Sequence, residues 1–377
     1  MKQWPRLAMV VVALLVTGYV ALLMSTEQQS HVLMLLGIGA MAAVVATKSG
    51  VVEGLRDSKV GHWPEALAIL GVVTLTVYFY DEHFALLMLA TVLLMSVACF
   101  GLTIQMGYAG VVNFAGAAFF GVGSYTAAVL TKIAGLPDVL VLIAGGLLAA
   151  LIGSLLILPV LRTRGHYAAL VTIAFGILFK TFLEVNDVLG GPQGLKVAGL
   201  DLFGWKFNDN IEIGSLEISF YVNYVLLGLI LFVLAFSISR RLERSWMGLA
   251  LDAVRLDEIA ASAFGISPAR WKILAFTLGN FLAGVAGAAF AMMLGFIAPN
   301  NFTIGDSLIM VSIVILGGLG NPWGVPLAAA IVIILPEKLQ VLQEYRFLLY
   351  AALVIVTLLV RPQGLLPRGM RAYPRMK

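Results

Sequence analysis

Charged residues are scarce in this sequence. Of its 377 residues only 12% are Asp, Glu, Lys or Arg, whereas 61% are hydrophobic and the mean hydropathy is +1.00. Soluble domains carry roughly 25% charged residues, so a soluble protein of this size would lack the polar groups to cover so much apolar surface. Intrinsic disorder is excluded as well, because disordered chains are rich in charge and poor in hydrophobic residues. The composition predicts an all-α fold, namely a polytopic helical membrane protein.

The chain is equally poor in residues for metal and redox chemistry. Its single cysteine, Cys99, excludes an internal disulfide and a thiolate metal cage, and its place in an apolar run predicts core packing. The four histidines are scattered over distant segments, so we expect no metal site and no cofactor. No run of basic residues exceeds two, and a nucleic-acid partner is therefore not expected.

Motifs for nucleotide binding and ion coupling are also missing. The phosphate-binding pattern G-x-x-x-x-G-K-[ST] does not occur, and the apolar runs hold almost none of the ionisable residues that ion-coupled carriers keep inside their spans. Lys180 and Glu184 are the nearest exception, and their four-residue spacing predicts a local salt bridge. An intramembrane enzyme would need H-E-x-x-H or paired carboxylates, which are absent. The sequence therefore predicts a protein that is not an enzyme and has no ATPase site of its own.

Long uncharged windows mark where the chain crosses the bilayer, because a charge at the bilayer centre costs several kcal/mol. The first window, 7–24, follows two basic residues and is predicted to be an uncleaved first span rather than a signal peptide. Two later windows, 84–131 and 307–336, are too long for one crossing, and each contains a glycine-rich break (Q-M-G-Y-A-G and G-G-L-G-N-P). We therefore expect about 10–12 membrane segments.

The charges of the loops set the predicted orientation. With alternating crossings, 18 of the 24 Lys and Arg residues fall in one set of loops and 6 in the other, while acids divide 7 against 13. Because Lys- and Arg-rich loops remain cytoplasmic, both termini are predicted to be cytoplasmic. The predicted organisation is leading transmembrane helices at 1–80, core helices at 81–185, a periplasmic loop at 186–217, core helices at 218–360 with a cytoplasmic loop at 240–272, and a cytoplasmic tail at 361–377.

The predicted cytoplasmic loop contains a short helix with clear boundaries. Asp257 suits an N-cap, Glu258 lies in the first turn, and Gly265 suits the left-handed residue that ends a helix. Ser267 and Pro268 then begin the next helix. A helix in this position is either a lever that docks its shallow, alanine-rich surface on a soluble partner or an interfacial helix on the lipid headgroups. Composition alone leaves both interpretations open.

Four segments carry a resemblance to a known family. The sequence E-I-A-A-S-A-F-G at 258–265, preceded by Arg255, resembles the EAA loop of ABC importer permeases, in the form found in branched-chain amino-acid permeases. The segment 107–126 is similar to that family's sequence after its early spans. The late glycine-rich turn and the C-terminal end of the family resemble 315–325 and 361–365. The chain resembles in particular the LivM-type subunit of such ABC transporters.

The resemblance implies a permease subunit that imports branched-chain or related apolar amino acids across the bacterial inner membrane. It implies as partners a homologous second permease, two ATP-binding cassette subunits and a periplasmic or lipid-anchored substrate-binding protein. The residues that it places against the ATPase subunits are Arg255, Glu258, Ala260, Ala261 and Gly265. Ile259 departs from the general importer pattern, which has the acid directly before the alanines. Permeases for urea or short amides look similar and remain an alternative, as does an ion-coupled secondary carrier.

Small and polar residues predict packing contacts and a candidate pathway. Two series of small residues recur every four positions, a spacing that permits close helix contact in membranes: Ala109, Asn113, Ala117 and Gly121, and then Gly279, Ala283 and Gly287. The second series predicts packing between helices. Asn113, with Ser124 and Tyr125 after it, either lines the transport pathway or makes interhelical hydrogen bonds, for which the same residue types serve.

A glycine-rich stretch, L-G-G-P-Q-G, lies in the predicted periplasmic loop and matches a stretch that the family carries at this place. It contains Gly190, Gly191 and Gly194. The backbone amides of such a turn can receive a carboxylate that leaves a binding protein. The other interpretation is an external turn without a ligand, and the sequence does not decide between them.

Overall fold

The computed structural model consists almost entirely of α-helices. It describes residues 6–26, 28–32, 34–35, 37–39, 63–133, 136–161, 167–202, 204–213, 216–339 and 363–366, together with positions 345, 348, 351–352, 355, 359 and 368. Its helices are α1 (Arg6–Ser25), α2 (Trp63–Tyr78), α3 (His83–Leu102), α4 (Gly116–Ile133), α5 (Asp138–Leu161), α6 (Tyr167–Val185), α7 (Tyr221–Arg244), α8 (Trp246–Leu256), α9 (Glu258–Ala263), α10 (Pro268–Leu294), α11 (Ile304–Gly317) and α12 (Gly324–Lys338). The predicted helical fold is confirmed.

Six helical stretches in the described residues are long and apolar enough to cross a membrane. Four of them lie in α5, α6, α7 and α10, one is α3 with the π-helical turn that follows it (His83–Tyr108), and one is α11 with the turn before it (Pro299–Gly317). Shorter apolar helices include α1 and α2. The chain is therefore a multi-pass membrane protein. The total of 10–12 segments stays a prediction, because half of the expected span at 28–47 and most of that at 347–360 fall outside the described residues. The same holds for the predicted tail, 361–377, apart from five positions.

Glycines bring α10 close to its neighbours at the centre of the bundle. A Cβ atom at Gly279 would lie 2.6 Å from a carbonyl oxygen of α3, and one at Gly123 on α4 would lie 1.9 Å from the carbonyl oxygen of Gly284. At Gly287 a Cβ atom would lie 1.9 Å from the Phe120 carbonyl oxygen. These separations are far below van der Waals contact, so the helices approach this closely only because glycine occupies the positions. The predicted packing role of the series on α10 is confirmed.

Both predicted breaks in the long apolar windows are present. α3 passes into a single turn of π-helix, Thr103–Tyr108, and residues 109–115 then connect irregularly to α4. Residues 318–323 separate α11 from α12 in the same way. Single π-turns inside α-helices occur frequently at functional sites. The two irregular connections therefore place non-helical backbone between long apolar helices, and most of its residues are buried or half-buried in the protein.

One predicted series of small residues is wrong. Ala117 and Gly121 lie on α4, whereas Ala109 and Asn113 lie before that helix, in the irregular connection. The four residues therefore do not form one helix face. The reason is local, because the Asn113 side chain accepts a hydrogen bond from the Ala115 backbone N–H at 2.8 Å. This bond helps to begin a new helix and does not allow α3 to continue.

Short elements fold residues 186–217 against the ends of the helices. Two turns of 3₁₀-helix, Asp187–Leu189 and Gly191–Gln193, follow α6. Short strands follow: β1 (Leu195–Lys196), β2 (Asp201–Leu202), β3 (Trp205–Lys206), β4 (Ile211–Ile213) and β5 (Leu216–Ile218), with β6 (Phe296–Ile297) after α10. β2 pairs with β3 and β4 with β5, while β1 pairs antiparallel with β6. The last pairing fastens the segment to the end of α10.

α7 separates the two ends of the molecule that carry predicted functional segments. Its 24 residues make a helix about 36 Å long at 1.5 Å per residue. The acid-rich segment 186–217 precedes α7, and α8 and α9 follow it. These two segments therefore lie at opposite ends of a helix long enough to span a bilayer.

Candidate coupling surface and transport pathway

α9 is a short helix whose two ends are both fixed. The Asp257 carboxylate accepts hydrogen bonds from the backbone N–H groups of Ile259 at 2.9 Å and Ala260 at 3.0 Å. At the other end, Gly265 has φ +80°, and the N–H of the following residue donates to the Ala261 carbonyl at 3.0 Å. This pairing is typical of a Schellman motif, which needs a left-handed residue that glycine adopts without strain. The predicted boundaries of the helix are confirmed.

The exposed surface around α9 carries three large apolar side chains. Leu256, Ile259 and Phe264 are 79%, 84% and 86% exposed, respectively. Of the residues predicted to face the ATPase subunits, Ala261 lies on the buried side of α9. The others are exposed: Arg255, Glu258, Ala260 and Gly265. Contiguous large apolar side chains at a surface mark sites where another molecule binds. The sequence analysis did not single out Leu256 and Phe264. Their positions could have indicated exposure, because Leu256 precedes Asp257 and Phe264 precedes Gly265, and a helix ends at each of these points.

Glu258 also has a partner within the chain. Its Oε1 atom lies 2.5 Å from Nζ of Lys272 on α10. Pro268 is the first residue of that helix, as predicted, but the predicted cap by Ser267 is wrong, because its side chain makes no capping hydrogen bond. An exposed ion pair contributes about 0–1 kcal/mol. The pair therefore orients α9 against α10 more than it stabilises the fold.

α8 rests on the irregular connection that follows the π-helix. A Cβ atom at Gly110 would lie 2.9 Å from Cγ of Arg255 on α8. A Cβ atom at Gly107 would lie 2.5 Å from the backbone nitrogen of Gly320, in the connection between α11 and α12. The segment that carries α9 therefore contacts the transmembrane helices where their backbones are irregular.

Three buried amide side chains form a cluster at the π-helix, which we call the amide cluster: Gln105, Asn113 and Asn280. Gln105 Nε2 donates to Asn280 Oδ1 at 2.9 Å and to the Phe276 carbonyl at 3.2 Å. Asn113 Nδ2 donates to Gln105 Oε1 at 2.7 Å. Asn280 Nδ2 has no hydrogen-bond partner among the described residues. The cluster joins α10 to both sides of the break between α3 and α4.

Sequence analysis found only one member of the amide cluster, Asn113. Gln105 lies in the glycine-rich break and Asn280 lies in the long span of α10. Their signal was their residue type, because amide side chains inside a membrane need partners and are expensive to bury without them. The sequence does not say which amides meet, since Gln105 and Asn280 are 175 positions apart.

Ser124 and Tyr125 lie higher on α4, and both are buried. Ser124 Oγ is within hydrogen-bonding distance of two carbonyl oxygens, those of Phe120 at 3.0 Å and Gly287 at 2.8 Å. The ring of Tyr125 stands edge-on to Phe302, with 5.8 Å between ring centroids. Its hydroxyl has no hydrogen-bond partner in the part of the chain described here. Ser124 thus links α4 to α10, whereas the Tyr125 hydroxyl is buried and makes no hydrogen bond within the described part of the chain.

The model of one protein family matches residues 84–358, or about three quarters of the chain. It describes the permease component of branched-chain amino acid transport systems. The chain belongs to this family. The matched range includes α9 and the amide cluster and ends before position 368.

Similar proteins are named as permeases of branched-chain amino acid transport systems. The chain is 37% identical over 281 residues to the high-affinity branched-chain amino acid transport system permease protein LivM of Salmonella typhimurium and, equally, to that of Escherichia coli K12. These alignments cover 71% of this chain but 66% of each relative, so the chain spans just under two thirds of their length. It is 25% identical to LivH of Salmonella typhimurium over 71% of this chain and 89% of LivH. No solved structure matches the chain.

The glycine-rich stretch forms a tight turn after α6. Gly190, Gly191 and Gly194 all have positive φ angles. Their backbone N–H groups donate to carbonyl oxygens within the turn, those of Asp187, Asn186 and Gly190, respectively. A carboxylate would therefore have to displace these bonds. A Cβ atom at Gly194 would lie 2.1 Å from the Ile297 carbonyl oxygen, so the turn is seated against β6.

Lys180, Glu184 and Cys99 contact other groups within the chain. Lys180 Nζ lies 3.2 Å from Glu184 Oε1, which confirms the predicted salt bridge. Cys99 is buried, with its Sγ atom 3.7 Å from the Met310 carbonyl oxygen. Within the described residues, no group of three His, Cys, Asp or Glu side chains could hold a metal ion.

Proposed function

We propose that this chain is the transmembrane permease subunit of an ATP-driven ABC importer that moves branched-chain or related apolar amino acids into the cytoplasm. It acts with a homologous second permease, two ATP-binding cassette subunits and a substrate-binding protein. The observation that carries the proposal is α9, a helix fixed at both ends and bordered by exposed Ile259 and Phe264, in a chain of the branched-chain permease family. An exposed apolar helix of this kind fits a groove on a soluble partner.

The energy source lies on the partners in this proposal. The sequence has no phosphate-binding loop, and the apolar spans hold few ionisable residues that an ion gradient could act on. ATP hydrolysis on separate subunits supplies the work, and this chain supplies the path and the docking helix. It has no enzymatic activity of its own.

The orientation in the bacterial inner membrane follows from the loop charges. α8 and α9 lie in the basic segment 240–272, which we place in the cytoplasm together with both termini. The segment 186–217 is then periplasmic and faces the binding protein. The core helices at 81–185 and 218–360 form the path, and residues 1–80 add the leading spans.

The transport path includes the polar groups of the central helices in this proposal. Arg255 on α8 packs against Gly110, five residues after Gln105 of the amide cluster. A displacement of α9 by the ATPase subunits is thereby passed to Gln105, Asn113 and Asn280. Exchange of amide partners then opens the path toward Ser124 and Tyr125. The buried hydroxyl of Tyr125 supplies a hydrogen-bonding group to the passing substrate.

Reconstitution tests the proposal. Proteoliposomes that contain this chain, its second permease and the ATPase subunits should take up radiolabelled leucine only with ATP and the binding protein. The chain alone should neither hydrolyse ATP nor accumulate leucine under an ion gradient. Uptake by the chain alone would establish a secondary carrier, and ATP-dependent uptake of radiolabelled urea in place of leucine would assign the cargo to urea or short amides.

A further inference from the structure

We infer that Arg368 is a positioning residue that joins α8, and with it α9, to the connection between α11 and α12. The inference rests on the proposed function and extends it, because it names a side chain through which the docking helix is held to the transmembrane core. Arg368 lies outside the matched family range and outside every motif found in the sequence analysis.

The Arg368 guanidinium holds two helices at once. Its Nη1 and Nη2 atoms donate to the two carboxylate oxygens of Asp252 on α8, at 2.6 Å and 3.1 Å. Its Nε atom lies 3.6 Å from Glu243 at the end of α7. The guanidinium carbon also lies 4.7 Å from the ring centroid of Tyr108, the last residue of the π-helix. A planar, two-pronged contact of this kind fixes geometry in a way that a single charge does not.

The cation remains charged in this setting. Burial acts to lower the pKa of the Arg368 guanidinium, but the hydrogen bonds and charge of Asp252 outweigh it and hold the pKa above its usual value. Because the side chains of Arg368, Asp252 and Glu243 are all largely withdrawn from solvent, removal of the cation would leave two carboxylates facing a poorly hydrated gap.

The backbone before Arg368 is fastened to the transmembrane helices. The Leu365 N–H donates to the Leu316 carbonyl at 2.8 Å, and the Leu366 N–H donates to the Gly317 carbonyl at 3.2 Å. Asn321 Nδ2 donates to the Leu366 carbonyl at 2.9 Å. These bonds satisfy carbonyls at the end of α11 that have no partner within that helix. Residues 363–366 therefore lie against the α11–α12 connection, and the side chain of Arg368 contacts α8.

Arg368 and residues 363–366 link the helix pair α8–α9 to the irregular backbone of the transmembrane helices. Gly320 in the α11–α12 connection lies against both Arg368 and Gly107 of the π-helix. Arg255, one turn after Asp252 on α8, lies against Gly110. When α9 moves with the ATPase subunits, Arg368 makes α8, the π-helix and the α11–α12 connection move together. Without it, α9 follows the ATPase while the path does not respond.

The test uses the complete reconstituted importer. Arg368→Ala should lower leucine uptake about tenfold, a typical magnitude for one coupling contact, while the ATP hydrolysis that the binding protein stimulates is largely retained. Arg368→Lys, which keeps the charge and loses the two-pronged contact, should give an intermediate ratio of leucine to ATP. The exchange Arg368→Asp with Asp252→Arg should restore the ratio toward wild type. Arg241→Ala, an exposed arginine on α7, is the matched control and should match wild type.

Other outcomes overturn the inference in distinguishable ways. Unchanged uptake in Arg368→Ala, or uptake and hydrolysis that fall in proportion, would leave Arg368 with no role or with a merely structural role. If Arg368→Ala is not recovered as a complex, the exchanged pair decides, and failure of that pair to restore coupling refutes the inference. Absence of ATP-dependent uptake in the wild-type importer would instead overturn the proposed function, and this inference with it.

Discussion

At the residue scale, Gly123 marks one of the two closest approaches of α4 to α10. In Gly123→Ala the new Cβ atom would meet the Gly284 carbonyl oxygen at 1.9 Å, and a backbone atom cannot turn aside as a side chain does. Overpacking of this kind costs about 1–3 kcal/mol, so we expect a lower midpoint of thermal unfolding for the detergent-purified protein.

The matched control for this substitution is Gly176→Ala on α6, where a Cβ atom meets nothing within 4 Å. Alanine is the better helix former by about 1 kcal/mol and its Cβ atom has room at this position, so this variant should unfold at the same temperature or slightly higher. Equal unfolding midpoints for Gly123→Ala and wild type would contradict the close packing of α4 and α10.

Gln105 is the residue that connects the amide cluster. Gln105→Leu removes its bonds to Asn280 and Asn113 together and leaves these two buried amides with only a 3.5 Å hydrogen bond between their side chains, at a cost of about 1–3 kcal/mol for each lost partner. We expect leucine uptake by the reconstituted importer to fall several-fold. Ser96→Ala is the control, because buried Ser96 bonds only a carbonyl of its own helix at 2.6 Å, and its uptake should equal that of wild type. Full uptake in Gln105→Leu would remove the amide cluster from the proposed path.

At the scale of elements, the surface around α9 separates partner binding from stability. Phe264→Ser should leave the unfolding temperature of the isolated subunit unchanged, because the side chain is 86% exposed and contributes little to the core. We expect it to lower the fraction of ATPase subunits that copurify with the permease, since docking buries this side chain.

Val188 provides a control of equal exposure, 87%, in the turn after α6. Val188→Ser lies at the other end of the molecule and should leave ATPase copurification unchanged. If Phe264→Ser and Val188→Ser behave alike in this assay, α9 is not the docking helix and the interfacial interpretation of the helix is favoured.

At the scale of the whole molecule, the proposed orientation can be tested with thiol labelling. Ala260→Cys on exposed α9 should react with a membrane-impermeant maleimide only in inverted vesicles, and Val188→Cys should react only in intact cells with a permeabilised outer membrane. Cys99 is buried, so it should give little background. The reverse pattern would contradict both the loop-charge argument and the docking role of α9.

Many features of the fold follow from the sequence because they are local. The uncharged windows predict helices, since the bilayer excludes both charges and unpaired backbone groups. The boundaries of α9 follow from Asp257 and Gly265, whose side-chain oxygen and backbone freedom act within one turn. The missed helix α8 differs, because its four buried residues face the transmembrane core and its pattern is read only against that surface. The small-residue series that begins at Ala109 failed because its first two members precede α4, where the Asn113 side chain helps to begin the new helix.

The sequence by itself determined that the chain spans a membrane, that its apolar runs are broken at two glycine-rich points, and that a capped helix lies in its most basic segment. Only the tertiary structure decided that Gln105, Asn113 and Asn280 meet, and that Arg368 closes on Asp252 across 116 positions. The physical reason is range. Exclusion of charge and helix capping act between neighbours in the chain, whereas a hydrogen bond or ion pair depends on which distant segments the packing of helices brings within about 3 Å.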